Sequence, residues 1–509
     1  MLFASCMGTG STLSTPRNRR DMPRQPTSPP NLLVIISDEH RRDAMGCEGH
    51  PFVQTPNLDR LAERGTRFGN AYTASPMCVP TRAALACGRH VHQTGFWDSA
   101  TPYDGTMTSW MHRLRDNGIE TTSIGKLHYR SGEDDNGFSR ELLPMHVVGG
   151  VGWAIGLLRD NPPPYDVTAE LAADSGAGES SYTAYDRAIT DAAVDWITSR
   201  PDAADSKPWA SFVSLVSPHY PLTAPSEFYD LYHDLDFDLT PQTVPDHPEI
   251  RTLASFFDYE AHFTPESRRA AIAGYFGLTS FLDDCVGRVL TALEDSGQAE
   301  NTVVIYLSDH GEMLGEKGLW TKQVMYEASV GIPMIMAGPG VPAGNVCNTA
   351  VSLVDIAATA LDVMALPADP DCPGQSLRGF AGAPDDEDRT VFAEYHDGGS
   401  STGAFMVRWQ SWKYVHYAGL PPQLFDLAAD PGESTDRGRD PAADAVAARA
   451  EGVRRLLEIC DAGAVDRQCR DDQQARIARL GGRKACEEAY LFNHTPTPTE
   501  QAALESDNG

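Results

Sequence analysis

Two apolar runs, far apart in the chain and each ending in a carboxylate, constrain the fold more than any other feature. "NLLVIISD" at 31–38 runs without alternation into Asp38. "TVVIYLSDH" at 302–310 repeats the pattern and ends at Asp309 and His310. A strand with one solvated face alternates polar and apolar residues. A continuous run needs cover on both faces, the condition of a central strand in a parallel sheet between helical layers. A third run, "WASFVSLVSPH", ends at His219, and a shorter one, "TTSIGKLH", ends at Lys126 and His128. Stretches of helical character at 56–64, 107–117, 184–199 and 266–296 lie between them. This alternation predicts an α/β fold with a large, mostly parallel sheet. In such sheets ligands bind beyond the carboxyl ends of the strands, so the polar residues that end these runs are expected to converge on one edge.

The style changes after about residue 370. "TVFAEYH", "AFMVRWQ" and "WKYVHYA" read as short strands of a small antiparallel sheet. We therefore expect a tail over 1–29, a main domain over 30–370, a small antiparallel-sheet subdomain over 371–440 and a helical extension over 441–509. The first thirty residues are rich in Ser, Thr, Pro and Arg and lack the apolar stretch of a secretory signal; they read as disordered, with Met22 as an alternative start. No stretch reaches eighteen consecutive apolar residues, so no membrane span is expected. Ten cysteines include no CxxC pair or zinc-ligand spacing, which points to reduced thiols in a cytoplasmic protein. The 41 basic residues against 71 acidic ones give a net charge of −30, which disfavours nucleic acid and anionic membranes as partners. An anionic substrate would need a local positive pocket to be held against that field.

One stretch offers such a pocket. In "SPMCVPTRAALACGRH", Pro80 suits the first turn of a helix, and Gly88 suits its stop. That puts Cys78 at a helix N-terminus, where the backbone dipole favours negative charge. Arg82 lies one turn further in and can point back at the same spot. On helix geometry alone, an inert buried cysteine beside a surface arginine is an equal alternative.

Cys78-Val79-Pro80-Thr81-Arg82, followed by Leu85 and Gly88, resembles the signature of the type I sulfatases, C-x-P-[ST]-R then L-x-T-G, with Cys87 in place of the threonine. The resemblance runs from about residue 30 to 430, and it implies an alkaline-phosphatase-like fold. It further implies that Cys78 is oxidised by a formylglycine-generating enzyme, and that the hydrated aldehyde attacks the sulfur of a sulfate ester. Carried over by position, the metal site falls on Asp38, Asp309 and His310, with residue 78 completing it. Glu39, where choline-sulfatase-like and phosphonate-monoester-hydrolase-like members have glutamine, is a ligand or stands just behind one. The residues agree with this: two strand-end carboxylates side by side call for a hard cation, and an imidazole among oxygens makes Mn²⁺ the second choice after Ca²⁺. "GKLH" resembles the family's G-K-x-H, which places Lys126 and His128 on the sulfate and the aldehyde diol. His219 falls on a candidate general acid, and Lys322 on a sulfate-binding lysine. With Arg82, these groups are expected to bind and polarise the sulfate.

The alcohol end of the substrate is expected near Trp97, Asp98, Ser99 and Tyr103, which follow the signature helix, and near Glu394 and His396. Choline, aryl, alkyl and sugar sulfates all remain open, as does a homo-oligomer. Two rival readings use the same residues. One is a phosphonate monoester or phosphodiester hydrolase, and the other is a non-catalytic sulfate-ester-binding protein in which Cys78 stays a thiol.

Overall fold

The structure is a computed structural model and describes residues 28–201, 207–489 and 495–507. The expected tail falls almost wholly on residues 1–27, outside the described residues, as does Met22.

The main sheet has eight strands: β1 (Asn31–Asp38), β2 (Gly65–Phe68), β3 (Glu120–Lys126), β4 (Arg140–Met145), β5 (Trp209–Pro218), β6 (Thr302–Ser308), β7 (Met334–Ala337) and β8 (Asn345–Cys347). Their order is β8-β2-β7-β6-β1-β5-β3-β4. From β6 to β4 every pairing is parallel, while β7 runs antiparallel to both of its neighbours. The four runs singled out in the sequence are thus the four adjacent central strands β6, β1, β5 and β3.

Strand β1 shows why its run is continuous. Leu33 and Ile35 enter one core, whereas Leu32, Val34 and Ile36 enter a second core on the opposite face. Successive side chains of a strand point to opposite faces, so with both faces covered residues 32–36 between Asn31 and Ser37 are all apolar. Helices α1 (Cys78–Cys87) and α4 (Asp355–Val363) contribute to the second core. Helices α2 (Ser181–Thr198) and α3 (Pro265–Asp295) contribute to the first. The expected helices at 56–64 and 107–117 are found at Pro56–Glu63 and Trp110–Asp116.

A separate four-stranded antiparallel sheet follows, made of β9 (Val391–Tyr395), β10 (Ala404–Trp409), β11 (Trp412–Tyr417) and β12 (Gln423–Asp426) in sequential order. Helices α5 (Ala443–Ile459) and α6 (Ala462–Arg479) come after it. Among the described residues, no helix is long and apolar enough to cross a membrane.

Candidate active site

The register of the central strands builds the site. Asp38 pairs with Pro218 of β5 after an irregularity in β1, and Ser37 pairs with Ser308 of β6. Asp38, Asp309 and His219 therefore emerge at one level, and Lys126 ends β3 on the far side of β5. Helix α1 approaches the same edge. Its N-terminus has extended backbone at Met77, Pro80 sits in the first turn, and Gly88 ends the helix at φ 60°. A side chain at Gly88 would also collide with the Ala357 methyl, so glycine is required twice there.

Cys78 meets the strand ends. Its Sγ lies 3.0 Å from His310 Nε2 and 3.5 Å from Asp38 Oδ1. One donor atom each from Asp38, Cys78, Asp309 and His310 falls within 4.8 Å of all the others, and all four residues are buried. His310 Nδ1 faces the Gly311 carbonyl at 3.1 Å. A carbonyl only accepts, so Nδ1 carries the proton and Nε2 presents its lone pair to the cluster, the tautomer a metal ligand needs. Two carboxylates, an imidazole lone pair and the residue-78 side chain suit a hard divalent cation with some tolerance for nitrogen, so the donor set fits the metal that the sequence implies.

The cations around this cluster divide into two sets. Lys126 Nζ lies 2.5 Å from Asp38 Oδ2. Arg82 gives its donors to the protein: Nε to Asp309 Oδ2 at 2.8 Å, Nη1 to Lys126 O and Ser214 Oγ at 2.9 Å each, and Nη2 to Asp38 Oδ2 at 3.4 Å. These contacts take four of the five guanidinium N–H groups, and Arg82 is not among the residues lining the cavity over Cys78. It ties the two carboxylates to helix α1, because a planar guanidinium one turn into the helix reaches both. Burial alone would raise the Asp38 carboxyl; Lys126 first, then His219, Arg82 and His310, outweigh it and hold it well below the ordinary range. Burial, and then Asp38, push the Cys78 thiol well above its usual value.

The second set faces a cavity of about 110 Å³ that opens over Cys78. His128, His219 and Lys322 line it together with Ser99, Gln323 and Thr495. Both ring nitrogens of His128 are buried without a protein partner, so the ring can donate to or accept from whatever fills the cavity. Burial, and then Lys126, lower its pKa well below the usual value. Lys322 Nζ donates to Glu39 Oε2 and to His219 Nε2, both at 2.9 Å. Several residues here have a left-handed backbone without being glycine: Glu39 (φ 70°), His128 (φ 56°), Thr321 (φ 64°) and Gln323 (φ 77°). Such conformations cost roughly 1–3 kcal/mol each and cluster where function demands a particular side-chain direction.

The remaining walls are apolar and largely aromatic: Trp153, Tyr165, Tyr182, Tyr220, Phe257 and Tyr259, with Met77, Val79, Val147 and Val148 between them. None of these rings was singled out in the sequence. Of the residues expected at the alcohol end, only Ser99 lines the cavity. Trp97, Asp98, Tyr103, Glu394 and His396 do not, and each has protein partners instead. Trp97 Nε1 donates to Asp472 at 2.9 Å, Asp98 accepts from Gln473 at 2.8 Å, and the Tyr103 hydroxyl donates to Met107 O at 2.6 Å. Glu394 accepts from His92 at 2.8 Å and contacts His396 Nε2 at 3.0 Å. All five are buried, and each has a protein partner for at least one polar atom. A larger cleft of about 980 Å³, lined by Arg41, Arg42, Tyr72 and Glu327, lies apart from this chemistry and shares no lining residue with the smaller cavity.

Comparison with known proteins agrees with this geometry. The Sulfatase family model matches residues 30–366, and that of the N-sulphoglucosamine sulphohydrolase C-terminal region matches 315–458. The chain is 31% identical over 437 residues to the choline-sulfatase of Rhizobium meliloti (strain 1021), covering 82% of this chain and 83% of that protein. It is 33% identical over 427 residues to arylsulfatase K of Danio rerio, covering 79% of each. The crystal structure of the phosphonate monoester hydrolase of Agrobacterium radiobacter superposes with a TM-score of 0.70 at 24% identity, over 84% of this chain and 95% of that one, which shows a shared fold. With two strand-end carboxylates meeting a signature cysteine at a helix N-terminus, and with the family matched across its main domain, the chain belongs to the sulfatase family and is a sulfuric ester hydrolase.

Proposed function

We propose that the protein hydrolyses a small sulfate monoester to sulfate and an alcohol, with Cys78 converted to formylglycine by a formylglycine-generating enzyme and one divalent ion, Ca²⁺ or Mn²⁺, held by Asp38, Asp309, His310 and residue 78. The observation that carries this reading is the meeting of Cys78 with Asp38 and His310 at the floor of a cavity whose charged lining is cationic. When bound, the ion would supply a Lewis acid at the sulfate oxygens, and formylglycine a hydrated aldehyde as nucleophile. The chain's own residues do the rest. Arg82 and Lys126 hold the carboxylates in place, which frees the cavity face for Lys322, His128 and His219. Lys322 places a fixed positive charge where the ester oxygens gain negative charge, in a buried setting where that charge counts most. His128 brings hydrogen-bonding nitrogens to the same oxygens, while His219, with Nδ1 on the Tyr220 carbonyl and Nε2 on Lys322, holds the lysine in place.

The cavity also bears on the substrate's size. At about 110 Å³, with six aromatic rings and no carboxylate among its described lining residues, it suits a compact aryl or alkyl alcohol better than a long sulfated polymer. A second reading, a phosphonate or phosphodiester hydrolase, uses the same residues: the Asp309–His310 pair is the pattern expected of choline-sulfatase-like and phosphonate-monoester-hydrolase-like members alike and does not separate the two. A side-by-side assay of aryl sulfate, aryl phosphate diester and aryl phosphonate tests both. Dominant turnover of the sulfate supports the first reading, and dominant turnover of a phosphorus ester replaces it with the second.

A further inference from the structure

Lys322 is held in an unusual way. Its ammonium is buried, and its two nearest polar partners are both acceptors: Glu39 Oε2 and His219 Nε2, each at 2.9 Å. His219 Nδ1 lies 2.7 Å from the Tyr220 carbonyl and so carries the ring proton, leaving Nε2 to accept. An ammonium has three protons. Two are taken, and Lys322 lines the cavity.

Glu39 is itself fixed from three sides. Its backbone N–H donates to Asp309 Oδ1 at 3.2 Å, its carbonyl accepts from the Tyr275 hydroxyl at 2.9 Å, and its φ of 70° turns the side chain toward Lys322. The loop that carries Lys322 is pinned separately, by Glu312 Oε1 accepting from Leu314 N at 2.6 Å and Thr321 N at 2.7 Å. The loop is therefore held by one glutamate and the ammonium by another.

We propose that Glu39 is a positioning residue: with His219 it takes two of the three ammonium protons of Lys322 and aims the third at the sulfate group in the cavity. This inference rests on the sulfate-ester reading for its substrate, though not for its geometry.

The test is a double-mutant cycle in the full chain: Glu39→Gln, Lys322→Ala and both together, with Glu39→Asp as a further variant that keeps the charge one methylene short. Three quantities are read: the Kd for inorganic sulfate, kcat on 4-nitrophenyl sulfate, and metal per chain. Glu39→Gln is expected to weaken sulfate binding and kcat by roughly 10–100-fold while keeping the metal. The double variant is expected to be no worse than Lys322→Ala alone, because both changes remove the same contact. Additive losses, or loss of metal in Glu39→Gln, would overturn the proposal, since Glu39 would then act elsewhere or through the ion. If Glu39→Gln fails to fold, Glu39→Asp runs through the same cycle. Should the wild type bind sulfate but hydrolyse no sulfate ester, the functional reading falls, and the binding cycle still decides the role of Glu39.

Discussion

Replacing Arg82 with alanine probes the framework of the site without touching the cavity. The guanidinium is 1% exposed and serves two carboxylates, a carbonyl and a hydroxyl. Without it Asp38 keeps Lys126 at 2.5 Å, but Asp309 loses its one close arginine or lysine among the described residues. Removing one partner of a buried ion pair costs about 3–5 kcal/mol, because the other charge is left desolvated and uncompensated. The entropy of unfolding is about 2.1 cal/mol/K per residue, so for a chain of 509 residues that loss lowers Tm by roughly 3–5 °C. A bound divalent cation would offset part of the stranded charge. The fall in Tm should therefore be larger after treatment with a chelator than in metal-loaded protein. Differential scanning calorimetry on both forms, paired with metal analysis, reads this directly. An unchanged Tm in the chelated variant would refute the reasoning, since Arg82 could not then be compensating Asp309.

Other expectations follow from the same contacts. Lys322→Ala and Lys126→Ala should each cost roughly 10²–10³ in kcat on an aryl sulfate, the first by removing charge at the ester and the second by loosening Asp38; steady-state kinetics decides. Asp397 is buried beside Asp98, and burial, followed by that neighbour, pushes its carboxyl up to about 7. A raised carboxyl favours the protonated folded state, so its contribution to stability falls as pH rises from about 4 to about 7. Asp397→Asn should flatten the Tm–pH profile across that window, and an unchanged slope would discount the group. Trp153→Ala removes the largest ring of the cavity and should raise KM for aryl sulfates more than it lowers kcat.

How much of this was legible in the sequence depended on whether a constraint is local. The four central strands announced themselves because burial on both faces admits apolar and small hydroxyl residues but no charged one between the strand start and Asp38, Asp309, His219 or Lys126. Helix α1 was legible from Pro80 and Gly88, which act within a turn of where they stand. The aromatic walls were not. Trp153, Tyr165, Phe257 and Tyr259 come from segments with no shared pattern, and only the tertiary fold brings them over Cys78. Trp97 and Glu394, expected near the substrate but absent from the cavity lining, show the complementary limit. Trp97 follows the signature helix and Glu394 lies near the end of a strand of the small sheet, but a buried aromatic or acid is equally satisfied by Asp472 or His92, and no local signal separates the two cases. Arg82 illustrates a third kind of limit, since its direction was clear from helix geometry but its partners, on β1, β3 and β5 and just beyond β6, were not.

The central claim, that residue 78 beside these carboxylates cleaves a sulfate ester, is tested most directly by release of inorganic sulfate from 4-nitrophenyl sulfate. The comparison is between the parent protein and Cys78→Ala, both produced with a formylglycine-generating enzyme. The account predicts catalytic release of sulfate by the parent and none above background by the folded variant. Equal rates from the two proteins would contradict it.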